Sequence, residues 1–254
     1  MTQTAIVTGA AGGIGEAVAR RLAAGGADCV LVDRNPLVEE VAAAVGGVAV
    51  VGDLTDPQVM VRAVEAAGGR LDLLVLNAGV NSADKDPATL DLDRYQAVVG
   101  VNQHSVVYGL RAALPLMRAE GGGSIVAVAS LAALHGVPQD PVYTMTKHAV
   151  IGLVRALSPA LAAENIRFSA VCPGLVDTPL TAGARERFQA AGIPMLDPDD
   201  VAAAVETTLR TAEAGTELVI RPGRPPARYI AAPLPDEPRT ESRGVGGSSS
   251  LPKI

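Results

Sequence analysis

The chain has 254 residues, 48% of them hydrophobic, with a formal net charge of -6 and two cysteines. A chain of this length buries roughly three quarters of its unfolded surface, so its core needs no disulfide or metal staple, and the apolar content excludes a disordered chain. With 2% aromatics, no Trp and an acidic balance, base stacking on single strands and a large phosphate-backbone partner are excluded, so no nucleic-acid partner is expected.

Cys29 and Cys172 are too few for a zinc cluster or a disulfide framework and fit a reducing compartment. Gly, Asp, Arg or Pro interrupts every apolar run before it reaches membrane-spanning length, so no membrane partner is expected. The opening MTQTAIVTGA lacks the basic and apolar regions of a secretory signal. The expectation is a soluble, cytoplasmic, globular protein.

The first β-branched run, 4–8 (TAIVT), predicts a strand that enters the glycine-rich turn Thr8-Gly9-Ala10-Ala11-Gly12-Gly13-Ile14-Gly15 and then a helix over 13–24. A pyrophosphate needs backbone N–H groups and a helix N-terminus aimed at it, and glycine lets the backbone come close. A second strand, 28–33 (DCVLVD), ends on Asp33, 18 residues after Gly15. A carboxylate there can accept hydrogen bonds from an adenosine ribose and repel a 2′-phosphate, while the adjoining Arg34 could tolerate one.

A helix over 37–45, a strand over 48–52, a helix over 57–67 and a strand over 71–77 continue the alternation. One long helix is predicted over 91–119, then a strand over 124–129, a helix over 142–164 and a strand over 166–172. A lid segment at about 180–196, a helix over 198–212 and a strand over 217–221 complete the pattern. The strands look apolar on both faces, as in a covered parallel sheet, which leaves an open doubly wound sheet or an eight-fold barrel. The turn and Asp33 together favour a dinucleotide site over a barrel phosphate site. The last 33 residues, 222–254, hold seven Pro and four Gly and read as a tail.

Ser130 follows the fifth strand, and Tyr143 and Lys147 lie four apart, on one face of a helix. A tyrosine at its ordinary pKa of about 10 is a poor base at neutral pH. A neighbouring ammonium favours its phenolate, and such a residue can exchange a proton with an alcohol oxygen. His104, His135 and His148 lack metal-ligand spacing, and no metal is expected; His135, close after Ser130, could border a substrate.

Together with DLTD (53–56), NAG (77–79), Asn102 in VNQHS, YTMTK (143–147) and PGLVDT (173–178), these residues make the chain resemble the short-chain dehydrogenase/reductase family over roughly 3–221. Ser130 and Tyr143 stand 13 apart, the family's usual spacing. The resemblance implies a single Rossmann-like domain, a doubly wound parallel α/β sheet with helices on both faces. It implies that Gly9, Gly13, Ile14 and Gly15 line a pyrophosphate, that Asp33 holds the adenosine ribose, and that Asp53 and Leu54 border adenine. Asn77, Ala78 and Gly79 would support the central strand and the adjacent ribose. Pro173, Val176 and Thr178 would lie against the nicotinamide. Tyr143 would be the general acid/base, Lys147 would lower its pKa and bind the nicotinamide ribose, Ser130 would orient the substrate oxygen, and Asn102 would hold a water in a proton relay.

The implied activity is an NAD-dependent oxidoreductase, with NAD as cofactor, interconverting a secondary alcohol and a ketone. The alternative is a catalytically idle NAD-binding protein that senses redox state or partners another protein. Apolar faces on the two long helices lead to an expected homodimer or homotetramer.

Overall fold

The structure, a computed structural model, describes residues 2–232; the 233–254 part of the expected tail lies outside the described residues. Its strands are β1 (Thr4–Thr8), β2 (Asp28–Asp33), β3 (Val48–Val51), β4 (Leu73–Leu76), β5 (Gly123–Val128), β6 (Ile166–Pro173), β7 (Glu217–Ile220) and β8 (Ala227–Arg228). The helices are α1 (Gly13–Ala24), α2 (Leu37–Val45), α3 (Pro57–Ala66), α4 (Leu92–Val99), α5 (Ser105–Ala119), α6 (Pro141–Ala163), α7 (Arg185–Ala190) and α8 (Pro198–Thr211).

The sheet runs β3-β2-β1-β4-β5-β6-β7-β8. Every neighbouring pair is parallel except β7–β8. The sheet is open, so the barrel alternative falls away and the doubly wound α/β architecture stands. From β1 the chain winds outward to β2 and β3, then returns to the other side of β1 as β4. Such a reversal opens a crevice above the carboxyl ends of the strands, here of β1 and β4.

Alternate side chains of each strand enter different layers. Ala5 and Val7 of β1, with Leu73 and Val75 of β4, pack with Val18 of α1, Val41 of α2 and Val205 of α8. Ile6, Leu74 and Leu76 pack on the other face with Met60 of α3, Leu110 of α5 and Val154 of α6. Both faces are covered, which is why these strands show no polar alternation.

Two stretches depart from expectation. The span 91–119 is not one regular helix: α4 and α5 are joined by a wide turn at Gly100–His104, where the Ser105 amide donates to the Gly100 carbonyl, five residues back. Gly100 permits it by packing closely, since a Cβ there would lie 3.0 Å from a Thr55 methyl. One extra residue in a turn leaves the apolar periodicity on either side intact, so pattern reading passes over it. Beyond residue 221 the chain does not turn irregular at once. It forms β8 against β7, and the Tyr229 amide donates to the Glu217 carbonyl at 2.7 Å. A two-residue strand next to prolines carries no period to read.

Phe168 of β6 has no exposed surface and stands in the layer of α5 and α6. Phe168→Ala should lower unfolding free energy by about 3–5 kcal/mol, measured by urea denaturation. A loss under about 1 kcal/mol would mean that the layer closes over the gap.

Candidate active site

The turn between β1 and α1 is fixed from both neighbouring strands. Asn77, just after β4, donates from Nδ2 to the carbonyls of Thr8 (3.0 Å) and Gly9 (3.1 Å), while its amide donates to Thr8 Oγ1 at 2.9 Å. From β2, the Asp33 carboxylate accepts from the Ala11 amide at 3.1 Å, and the Val32 carbonyl accepts from the Gly9 amide at 2.8 Å. Gly9 and Gly13 have φ of +66° and +54°, a region that favours glycine. Gly12, just before α1, offers no capping side chain, so the first amides of α1 face the cleft unscreened by any side-chain acceptor. These features fit a dinucleotide pyrophosphate.

A cleft of about 880 Å³ opens over this turn. Gly9, Gly13, Ile14, Asp33, Asp53 and Leu54 border one end, and Asn77, Ala78 and Gly79 line its middle. Ser130, Tyr143, Lys147, Pro173, Val176 and Thr178 border the other. Gly15 is not on the wall. A Cβ there would lie 2.0 Å from the Gly9 carbonyl oxygen, so Gly15 serves the close packing of α1 against the turn. Asn102 is also off the wall and 1% exposed.

The wide turn aims the Asn102 side chain at the segment after β4. Its Oδ1 accepts from the Val80 amide and its Nδ2 donates to the Val80 carbonyl, both at 2.8 Å, and Nδ2 also donates to Thr146 Oγ1 at 3.0 Å. Ser130 follows β5, and its Oγ accepts from the Ala132 amide at 3.1 Å. Tyr143 and Lys147 are one turn apart on α6. The Lys147 ammonium is 5.6 Å from the Tyr143 ring centroid and donates to the Val128 carbonyl at 3.0 Å.

Sequence reasoning did not single out Asp140. It caps α6 and also holds Ser82 and Ala83. The one signal was local, an aspartate before a proline at a helix start; nothing in the spacing announced the distant partners. The segment expected as a lid contributes Leu180, Thr181, Arg187 and Phe188 to the cleft, and His135 borders it as well.

A strand–turn–helix phosphate cradle, a carboxylate on the next strand and a Ser, Tyr and Lys set at the far end of one cleft define a Rossmann-type dehydrogenase architecture. The chain matches the short chain dehydrogenase family over residues 3–189 and belongs to it. It is 38% identical over 217 residues to 1-deoxy-11-beta-hydroxypentalenate dehydrogenase of Streptomyces avermitilis, covering 81% of this chain and 80% of that one. It superposes with a TM-score of 0.81 on 3-ketoacyl-(acyl-carrier-protein) reductase from Brucella melitensis complexed with NADH, at 32% identity, covering 87% of this chain and 98% of the other. A Beutenbergia cavernae protein assigned as an NAD(P)-dependent gluconate 5-dehydrogenase, with NADP bound at low occupancy, matches with a TM-score of 0.76 and 34% identity over 85% of this chain and 94% of its own. The protein is thus a short-chain-type Rossmann oxidoreductase whose relatives act on alcohols and ketones. Among the described residues, no helix is long and apolar enough to cross a membrane.

Burial dominates the charges of the site. It pushes the Tyr143 phenol up to about 12, with a hydrogen bond to Ser130 pulling down and Asp140 adding an upward push. The expected lowering by Lys147 is not among these influences, and Ser130 supplies the one downward pull. Burial likewise brings Lys147 down to about 8 from 10.5, and pushes Cys172 up to about 12, which leaves that thiol unreactive at neutral pH. For Lys147 the folded value lies below the unfolded one, so between pH 8 and 10.5 the unfolded chain binds more protons. The cost of burying the ammonium is complete below that window and is relieved as pH rises through it. Lys147→Met should flatten this contribution, so the variant-minus-wild-type stability difference should shrink from pH 8 towards pH 10 in urea denaturation. A difference independent of pH would contradict it.

Proposed function

We propose that the protein is an NAD(H)-dependent oxidoreductase that interconverts a secondary alcohol and its ketone, with Tyr143 as general acid/base. The observation that carries this reading is the meeting of Ser130, Tyr143 and Lys147 in the same cleft as the glycine turn. A bound nicotinamide would accept the hydride from the alcohol carbon or deliver it to the ketone. The chain's own groups do the rest. The backbone of Gly9, Gly13 and Ile14 borders the pyrophosphate, with Gly15 keeping α1 close behind them. Asp33 receives the adenosine ribose hydroxyls, and Asp53 and Leu54 flank the adenine. Asn77, Ala78 and Gly79 flank the next ribose, while Pro173, Val176 and Thr178 lie against the nicotinamide.

Ser130 Oγ holds the substrate oxygen. Tyr143 Oη donates its proton to that oxygen in reduction and takes it back in oxidation. Lys147 offers its ammonium to the nicotinamide ribose and steadies the phenolate. Asn102 acts on the proton relay indirectly, because its side chain is committed to Val80 and Thr146. Apolar Val137, Leu180 and Phe188 border the substrate end, which suits a small, largely apolar alcohol or ketone. The idle, redox-sensing alternative has no observation in its favour.

NAD preference rests on Asp33. Its carboxylate is held by the amides of Ala11 and Asn35, so it cannot swing aside from a 2′-phosphate. Arg34, next in sequence, is exposed on the cleft rim. We also infer a cytoplasmic protein that assembles as a homodimer or homotetramer through the α4–α5 and α6 faces, where Leu92, Val107 and Met145 are exposed.

Secondary alcohols and ketones (isopropanol, cyclohexanol, lactate and their ketones) should show nicotinamide absorbance changes with NAD. kcat/KM should be about 100-fold or more higher than with NADP, and Asp33→Ser should narrow the ratio. Equal values for the two cofactors would mean that Arg34 dominates. Tyr143→Phe should remove at least about 100-fold of the activity while cofactor binding persists, and full activity would overturn the assignment of the acid/base. Light scattering at micromolar concentration should give the mass of a dimer or tetramer; a monomer would overturn the assembly.

A further inference from the structure

Four aspartates cap α-helices in this fold: Asp56, Asp91, Asp140 and Asp197. Three of them accept only from amides of the turn that they begin. Asp140 differs. Its Oδ1 accepts from the Tyr143 amide at 2.9 Å and from Ser82 Oγ at 2.5 Å, and its Oδ2 accepts from the amides of Ser82 and Ala83, both at 2.9 Å. Three of these four bonds reach a segment 57 or 58 residues away in sequence. Asp140 is 9% exposed, so its charge is weakly screened.

The segment it holds is a wall of the cleft. Val80, Asn81 and Ala83 all border the cavity. Ala83 has φ +57°, a left-handed conformation that costs a non-glycine residue energy and persists only where its surroundings enforce it. Asn102 grips the other end of the segment through Val80, and Asn81 Nδ2 reaches the lid at the Leu180 carbonyl, 3.3 Å away. A helix cap alone would need none of this.

We propose that Asp140 is a positioning residue of the reaction: it joins the 80–83 wall of the substrate cleft to the first turn of the helix that carries Tyr143, and it gives Tyr143 a fixed negative neighbour. The proposal rests on Tyr143 being the acid/base. Besides Asp140, Ser130 after β5 bears on the phenol, Lys147 of α6 lies 5.6 Å from its ring centroid, and Thr146 donates to the Tyr143 carbonyl, while His135 borders the same cleft and Cys172 of β6 bears on Lys147. Asp140 is the carboxylate that bears on the phenol; Asp84, whose amide donates to Ser82 Oγ, is the other carboxylate of this network. Through this arrangement the aspartate would set both where the phenol stands and the pH range in which it gives up its proton.

Asparagine is the informative replacement. In Asp140→Asn the carbonyl can still accept from the Ser82 and Ala83 amides, and the new NH₂ can donate to Ser82 Oγ. The charge is given up, the Tyr143 amide loses its acceptor, and the Ser82 hydroxyl turns from donor to acceptor in its bond with residue 140. Alcohol oxidation needs Tyr143 without its proton, and a neutral neighbour opposes the phenolate less. The acid limb of the kcat–pH profile, taken with the secondary alcohol of the panel turned over fastest, should therefore move to lower pH by roughly half a unit or more, with kcat at the plateau kept within about threefold. Asp140→Ala should lose at least about tenfold in kcat, with NADH affinity unchanged by fluorescence titration. It should also speed amide hydrogen exchange over residues 80–84 and the first turn of α6. If Asp140→Ala does not fold, Ser82→Ala serves in its place and should speed exchange over 80–84 alone. A profile for Asp140→Asn that overlays wild type, or unchanged exchange in both truncations, overturns the proposal. Tyr143→Phe run alongside separates the two failures. An inactive Tyr143→Phe with an unmoved Asp140→Asn profile overturns the role of Asp140 alone, and an active Tyr143→Phe removes the reading beneath it.

Discussion

A single amide side chain fixes the glycine turn between β1 and α1. Without Asn77, the carbonyls of Thr8 and Gly9 at the tightest part of the first turn would lose this side-chain donor. A buried acceptor left with no donor costs about 1–3 kcal/mol. Asn77 supplies the donors from the strand next door and, through its own amide, also engages the Thr8 hydroxyl. The turn therefore cannot move independently of β4, and the cleft floor is part of the sheet rather than a loop resting on it. The other placements in the cleft are measured from that fixed corner, because the segment leaving β4 continues directly into the wall that Asn102 and Asp140 hold.

The opposite end of the cleft is governed by desolvation. A phenol and an ammonium sit within about a ring's width of each other, and burial shifts each towards its neutral form. That arrangement keeps a proton in reserve on Tyr143 and a weakly held one on Lys147. A substrate or cofactor that brings polar groups into the cleft would change the surroundings of both groups at once. Ser130, which reaches the phenol from the end of another element, ties Tyr143 to the sheet.

The fold was legible in the sequence wherever a strand is covered on both faces. Runs such as TAIVT and LDLLVLN read as strands covered on both faces, and Gly9–Gly15 with Asp33 favoured the open doubly wound sheet over a barrel, though not the order of its strands. Most of the candidate site was legible too, as residues at known spacings: of the residues singled out, all but Gly15 and Asn102 border the cleft. What stayed hidden depends on geometry that leaves no periodic trace. The wide turn before α5 adds one residue without disturbing the apolar stripes beside it. The reach of Asp140 to Ser82 joins positions that only the folded sheet brings together. The balance of charges on Tyr143 was misjudged because a sequence gives neighbours along a helix but not how much water is left around them.

The wide turn at Gly100–His104 has a bearing on how this chain tolerates changes in length. Removing one residue there would let α4 and α5 fuse into one regular helix with its backbone bonds intact, so the backbone itself would raise no objection. Each residue of a helix turns the chain by about 100°, and the deletion would therefore force a choice. Either α5 keeps its apolar face on the sheet and α4 swings round, or the reverse. Where Asn102 goes with the element that moves, its side-chain amide leaves Val80. The extra residue is thus an insertion held in place by the cleft and not by the helix, and a shortened chain could remain well folded while its cleft wall came loose.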